Sequence, residues 1–153
     1  MKIVVLDGCA ANCGDISWES IAKFGELKVY DRTNRSEVVS RIGDAEIITT
    51  NKTVIDRDVI EACPKLRYIG VLATGYNVVD VEAAAEHGIV VTNVPAYSTD
   101  AVAQFTFALL LELANRVGDH DRSVKDGGWI RSKDFSYSVA PTMELAGKTL
   151  GII

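Results

Sequence analysis

The stretch Ala73-Thr74-Gly75-Tyr76-Asn77 gathers residue types that together can hold a small anion. It follows an apolar run, Leu66 to Leu72, with the composition of a buried parallel strand. In open parallel sheets ligands bind outside the carboxyl ends of the strands, so chemistry is expected in such a loop. Gly75 lets the backbone approach a ligand with no Cβ in the way. Successive N–H groups in the turn form a concavity for an anion, and Thr74 and Asn77 add side-chain donors and acceptors. The preceding strand-like run, Glu46 to Thr50, ends on Asn51 and Lys52, and Lys52 can bring a positive charge to the same edge. A small carboxylate suits this set. The same residues also suit a plain strand-to-helix turn, with Gly75 for geometry and Asp80 as the helix cap, and spacing alone leaves both readings open.

Other chemistries find less support. A phosphoacceptor receiver domain needs an acidic pair after the first strand and an Asp after the third; here Asp7 stands alone and Asn51-Lys52 follow the third. A flavin-mononucleotide domain wants a Ser/Thr-rich phosphate loop where this chain has Asp7-Gly-Cys-Ala-Ala-Asn-Cys-Gly14. His87 precedes Gly88 at a helix end, where a cation suits the dipole, and His120 has no paired acid. Neither makes a Ser-His-Asp or Cys-His arrangement, so no catalytic acid–base group is assigned to this chain. Cys9, Cys13 and Cys63 lack zinc-site spacing and read as reduced thiols; no metal is expected.

Positioning these residues requires alternating strands and helices. Strands are read at Lys2–Asp7, Glu26–Tyr30, Glu46–Thr50, Leu66–Leu72 and Ile89–Thr92. Helices are read at Ser17–Phe24 (capped by Ser17, stopped by Gly25), Ser36–Ile42 (ended by Gly43), Asp56–Ala62 and Val81–His87. A loop containing Gly8 and Gly14 follows the first strand. Five such units in under 100 residues describe an α/β fold with an open parallel sheet and helices on both faces. From Asp100 to Val117 runs a helix of about 18 residues, some 27 Å long, apolar around most of its girth. It is either buried between two domains of one chain or part of a subunit interface. Residues 118 to 146 read as polar and irregular, and Thr149 to Ile153 as the first strand of a second sheet. The domain boundary falls near Pro95 to Thr99, dividing 1–98 from 99–153.

The chain has 153 residues, 48% hydrophobic and 24% charged, with a net charge of −5. That balance describes a globular chain and argues against nucleic acid, whose phosphates call for clustered Lys and Arg. The longest apolar stretch, Ala101 to Leu111, is too short for a bilayer span of roughly 20 residues. With a strand-like run from Lys2 to Leu6 at the start, no signal peptide is expected. A cytoplasmic protein without membrane partners is expected.

Longer motifs carry a resemblance. Gly70-Val-Leu-Ala-Thr-Gly-Tyr-Asn-Val-Val-Asp80, Ala83-Ala-Ala-Glu-His-Gly-Ile-Val-Val-Thr-Asn-Val-Pro95, Ser98-Thr-Asp-Ala-Val-Ala-Gln104, Lys125-Asp-Gly-Gly-Trp129 and Glu144-Leu-Ala-Gly-Lys-Thr-Leu-Gly-Ile-Ile153 resemble the D-isomer-specific 2-hydroxyacid dehydrogenases. They are most similar to the glycerate dehydrogenase (hydroxypyruvate reductase) branch. The resemblance implies a flavodoxin-like substrate domain over 1–98, then the linking helix, a dimer arm and the first strand of a Rossmann domain. It implies hydride transfer between NAD or NADP and a small 2-keto acid such as hydroxypyruvate or glyoxylate, giving the D-2-hydroxy acid. The backbone at Ala73, Thr74 and Gly75 would hold the substrate carboxylate, with Asn51, Lys52 and Tyr76 shaping the pocket. For the cofactor, Thr74 would lie near the nicotinamide end and Thr99 and Val102 would border the cleft from the linking helix, and residues 100–146 would bury against a second subunit of a homodimer. The glycine-rich turn and the catalytic Arg, Glu and His of the family are expected beyond Ile153, leaving these residues inactive alone. A non-catalytic carboxylate-binding or dimerisation module is the alternative.

Overall fold

The computed structural model describes residues 1–12 and 14–152, in two compact units, Met1–Tyr97 and Ser98–Ile153. The first carries five parallel strands: β1 (Lys2–Val5), β2 (Glu26–Val29), β3 (Ile47–Thr50), β4 (Tyr68–Val71) and β5 (Val90–Thr92). Their order in the sheet is β2-β1-β3-β4-β5, the flavodoxin-like order. Each strand lies where the apolar runs place it, one or two residues shorter at one or both ends.

This order decides where the helices go. The chain steps from β1 to β2 at one side, then crosses back over β1 to β3 and moves outward. With right-handed crossovers, that reversal puts the first connection on one face and the later three on the other. The later connections hold α3 (Val38–Ile42, led by a 3-10 turn at Arg35–Glu37), α4 (Arg57–Ala62) and α5 (Val81–Glu86). Their inward residues Val38, Ile42, Val59, Ile60, Ala83 and Ala84 form one core with Val4, Leu6, Ile48, Ile69 and Val71. The first connection holds only two single-turn helices, α1 (Gly8–Ala11) and α2 (Glu19–Ala22). On that face Ile3, Ile47, Thr49, Tyr68 and Gly70 line an open groove of about 410 Å³ together with Ile21 and Phe24. The expected helices on both faces are therefore shared unequally.

The helix ends follow local chemistry. Asp56 and Asp80 cap α4 and α5, accepting from Val59 N at 3.1 Å and Ala83 N at 2.9 Å. Gly43 and Gly88 sit at φ +54° and +68°, a backbone that glycine adopts at little cost. Two expectations fail in the first connection. The helix read from Ser17 to Phe24 reduces to α2, with Trp18 at its cap position, and the Ser17 hydroxyl accepts only from Glu19 N, at 3.2 Å. Gly25 is required by crowding, since a Cβ there would stand 2.2 Å from the Met1 carbonyl oxygen. The loop expected after β1 contains α1.

The second unit opens with α6 (Thr99–Asn115), stopped at Arg116, whose backbone is left-handed. Val102, Phe105, Phe107, Leu109, Leu111 and Leu113 are all exposed along it. The segment 118–146, expected to be irregular, holds much of α7 (Val117–Lys125) and all of α8 (Gly128–Arg131). Charge pairs space α7: Arg116 and Arg122 with Asp119, and Lys125 with Asp121 at 2.7 Å. Apolar periodicity is blind to a helix whose i, i+3 and i, i+4 neighbours are ionic. The strand read from Thr149 does not form over residues 149–152, because a parallel strand needs a hydrogen-bonded neighbour and none of the described residues pairs with it. Ile153, like Cys13, lies outside the described residues.

Candidate functional site

The carboxyl ends of β1, β3 and β4 converge on one buried carboxylate. Asp7, directly after β1, is 5% exposed and accepts from the backbone N–H groups of Asn51 (2.8 Å), Lys52 (2.6 Å) and Thr53 (2.8 Å). The hydroxyls of Thr53 and Thr50 add donors at 3.0 and 3.3 Å. Five donors around two oxygens hold the turn after β3 in one shape. Charge-assisted bonds of this kind are stronger than neutral ones.

That turn presents Asn51. Its Nδ2 donates to the Leu72 carbonyl at 2.8 Å and to the Ala10 carbonyl at 3.4 Å, tying β3 to the end of β4 and to α1. Lys52 is fixed through its backbone, while its side chain is exposed and stands apart from the cavity described below.

The loop after β4 is tied down by its carbonyls and its hydroxyl. Ala73 O accepts from Val94 N at 3.1 Å, Thr74 O accepts from Asn93 Nδ2 at 2.8 Å, and the Thr74 hydroxyl donates to Val94 O at 3.2 Å. The N–H groups of Ala73, Thr74 and Gly75 donate to no group among the described residues. An uncommitted run of N–H groups at a strand's carboxyl end is an anion receptor in form. The Thr74 hydroxyl, expected as a free donor, is spent on Val94. A Cβ on Gly75 would lie 3.3 Å from Asn77 Oδ1, so a side chain there would crowd the loop.

Beside this loop lies a cavity of about 430 Å³ bounded by Ala10, Asn12, Ile16, Trp18, Ile21, Asn51, Leu72, Val94 and Tyr97. Its walls are mostly apolar, with few polar groups, as in small-molecule sites. Asn51 and Leu72 thus stand together on the cavity wall, one residue from the free N–H groups. Tyr76 is exposed and lines a separate groove with Val81, Ala85, Ile89 and Asn93. Thr99 and Val102 belong to the second unit, where both are exposed at the start of α6. Among the described residues no three His, Cys, Asp or Glu side chains gather as metal ligands.

Comparison with known proteins is decisive on one point. The profile of "D-isomer specific 2-hydroxyacid dehydrogenase, catalytic domain" matches residues 3–149. The chain belongs to that dehydrogenase family. A hydroxypyruvate reductase of Blautia hydrogenotrophica is 53% identical over 156 residues, covering 100% of this chain and 48% of the relative. A glycerate dehydrogenase of Methylorubrum extorquens is 38% identical over 129 residues, covering 84% and 41%. Among solved structures, an NADPH-dependent glyoxylate/hydroxypyruvate reductase from Sinorhizobium meliloti, in complex with NADP and malonate, superposes with a TM-score of 0.68. It is 26% identical and covers 97% of this chain and 44% of its own. The chain thus spans about half the length of the curated relatives it matches.

The apolar wall formed by Ile16, Trp18, Ile21 and Tyr97, and the organising role of Asp7, were not legible in the sequence. Asp7 carried a signal, an acidic residue at the carboxyl end of the first strand. The wall carried none, since its members are scattered and follow no period.

Proposed function

We propose that this chain is the substrate-binding portion of an NAD(P)-dependent oxidoreductase acting on small 2-keto acids such as hydroxypyruvate or glyoxylate, with the D-2-hydroxy acid as the reduced product. The observation that carries this reading is the run of free N–H groups at Ala73, Thr74 and Gly75, beside a cavity of substrate size. The backbone of that loop receives the substrate carboxylate, and its fastening to Asn93 and Val94, just after β5, keeps the N–H groups in place without reorganisation. Asn51 lines the pocket; Lys52, whose exposed side chain stands apart from it, adds a positive field for an incoming anion, and Tyr76 meets the substrate only from its separate groove. Thr74, Thr99 and Val102 border the nicotinamide.

NAD or NADP supplies the hydride when bound. The 153 residues contain no Gly-x-Gly-x-x-Gly, and among the described residues no strand forms over 149–152. What these residues do is bind and orient the acid and shield one side of it with apolar walls.

We assign residues 100–146 to a homodimer contact and the protein to the cytoplasm. An exposed helix with Phe105, Phe107, Leu109, Leu111 and Leu113 uncovered is the kind of surface that a partner covers. No helix among the described residues is long and apolar enough to cross a membrane. The same apolar helix supports the second reading, a dimerisation module without catalysis. The test is oxidation of NADH or NADPH by the full-length polypeptide containing these residues, with hydroxypyruvate and with glyoxylate. Turnover with either supports the oxidoreductase; none with any small 2-keto acid contradicts it and leaves the module.

A further inference from the structure

We infer that Asn51 is a specificity-determining residue: its amide oxygen accepts a hydrogen bond from a hydroxyl on C3 of the substrate, so the site selects 3-hydroxylated 2-keto acids. This rests on the carboxylate reading of the loop 73–75. An Asn side chain has two N–H donors and one carbonyl acceptor. The Asn51 donors are engaged by Leu72 O at 2.8 Å and Ala10 O at 3.4 Å. Both partners are backbone carbonyls, which only accept, so the surroundings set which way the amide faces. Oδ1 is what remains, and no N–H or O–H among the described residues donates to it. A side chain with both donors committed can read a ligand only by accepting.

Position and rigidity complete the argument. Leu72, whose carbonyl holds Nδ2, immediately precedes Ala73, which puts the wall that Asn51 and Leu72 share one residue from the 73–75 N–H groups; on this assignment, C3 of a three-carbon acid seated on those groups lies against this wall. The Asn51 backbone is anchored by the 2.8 Å bond to Asp7, which keeps Oδ1 from swinging away. Of the other lining residues, Ile16, Trp18, Ile21 and Val94 offer aliphatic or aromatic surface that cannot tell a hydroxyl from a methyl well; Asn12 and Ser17 spend their polar atoms within their own loop, and Ser20 and Tyr97 complete the wall. A C3 hydroxyl pairs with Oδ1; a C3 methyl leaves that oxygen unpaired against apolar surface, and this is the discriminating term. The cavity of about 430 Å³ also admits longer acids, and an apolar chain there gains buried area at the same loss.

The test measures kcat/KM of the full-length polypeptide for hydroxypyruvate, pyruvate and 4-methyl-2-oxopentanoate, in the wild type, Asn51→Ala and Asp7→Asn. The wild type is expected to favour hydroxypyruvate over pyruvate at least tenfold, the size of about one net hydrogen bond. Asn51→Ala brings that ratio close to one, chiefly by lowering the hydroxypyruvate value. Asp7→Asn loosens the anchor of Asn51 without removing Oδ1 and is expected to lower the ratio only part of the way; a ratio in Asp7→Asn lower than in Asn51→Ala overturns the assignment. An unchanged ratio in Asn51→Ala, or a wild type that prefers 4-methyl-2-oxopentanoate, overturns the assignment. Should Asn51→Ala not fold, inhibition of the wild type by D-glycerate and D-lactate decides: glycerate tighter by about tenfold upholds it, equal inhibition overturns it. Turnover of none of the three acids fails the carboxylate reading itself, an outcome distinct from turnover without discrimination.

Discussion

At the scale of single residues, Asp7 carries the most structure per atom. Its two oxygens accept from three backbone N–H groups and two hydroxyls, and Asp7→Asn turns an amide NH₂ toward donors whichever way it faces. A loss of about 3 kcal/mol is expected, since a buried donor set loses a charged acceptor; an unfolding free energy from urea titration lowered by less than about 1 kcal/mol would show that the turn holds by other means. Thiol chemistry separates two positions. Cys63 is buried, and that burial pushes its thiol above the usual range, whereas Cys9 is exposed. Alkylation of the native protein at neutral pH should label Cys9 quickly and Cys63 only after unfolding, as read by peptide mass; equal labelling would contradict the buried placement. At this scale the sequence was legible where a backbone requirement produced a recognisable loop, as at Ala73 to Gly75. It was illegible where a side chain's partners come from remote segments: Asn51 meets carbonyls 21 and 41 residues away, which no local pattern encodes.

At the scale of elements, caps and stops were readable because each is a local bargain between one side chain and the nearest backbone. Asp56, Asp80, Gly43 and Gly88 all stand where their chemistry places them. Gly43→Ala should cost about 1–2 kcal/mol, because an L residue is strained at φ +54°, ψ −116°. Thermal unfolding checks this, and an unchanged midpoint would mean that the turn relaxes freely. The missed elements share a cause. α7 is spaced by ion pairs, α1 is a single turn, and the run at 149–152 lacks the neighbour that would make it a strand. Each depends on something other than apolar periodicity. For α6, Phe105, Leu109 and Leu113 recur every four residues and share one face, exposed at 63%, 51% and 76%. Replacing all three by Glu is expected to convert a dimer to a monomer in sedimentation while the helical circular dichroism is kept. A wild type that sediments as a monomer at tens of micromolar would contradict the dimer assignment.

At the scale of the whole molecule, surface charge sets a pH dependence whose sign can be worked out. Hydrogen bonds from Lys2 to Asp44, Arg57 to Glu86 and Arg116 to Asp119, together with the backbone of Asn34 beside Glu37, hold these carboxyls below their ordinary values. Groups lowered in the folded state bind fewer protons there than in the unfolded chain. Their stabilisation is present above the ordinary carboxylate range and is lost as pH falls through the lowered values. Asp44 and Glu86 are exposed and Glu37 and Asp119 half-buried, so each contribution is small and screened by salt. The urea midpoint should fall from pH 7 to pH 3, and fall less in high salt; a midpoint flat across that range would contradict the pairing. The order β2-β1-β3-β4-β5 brings Asp7, Asn51 and the 73–75 loop to one edge although they are far apart in the chain; the α/β alternation foreshadowed the parallel sheet, whereas its flavodoxin-like order was implied by the family resemblance alone. The unequal helix layers follow from it, since only one crossover runs on the second face. The central claim is that the substrate carboxylate rests on the backbone at Ala73, Thr74 and Gly75. A crystal structure of the full-length polypeptide with D-glycerate tests it most directly. The account predicts carboxylate oxygens about 2.9 Å from those nitrogens, with the C3 hydroxyl toward Asn51 Oδ1. A carboxylate seated elsewhere, on the Lys52 side chain for instance, with the three N–H groups facing only water, would contradict it.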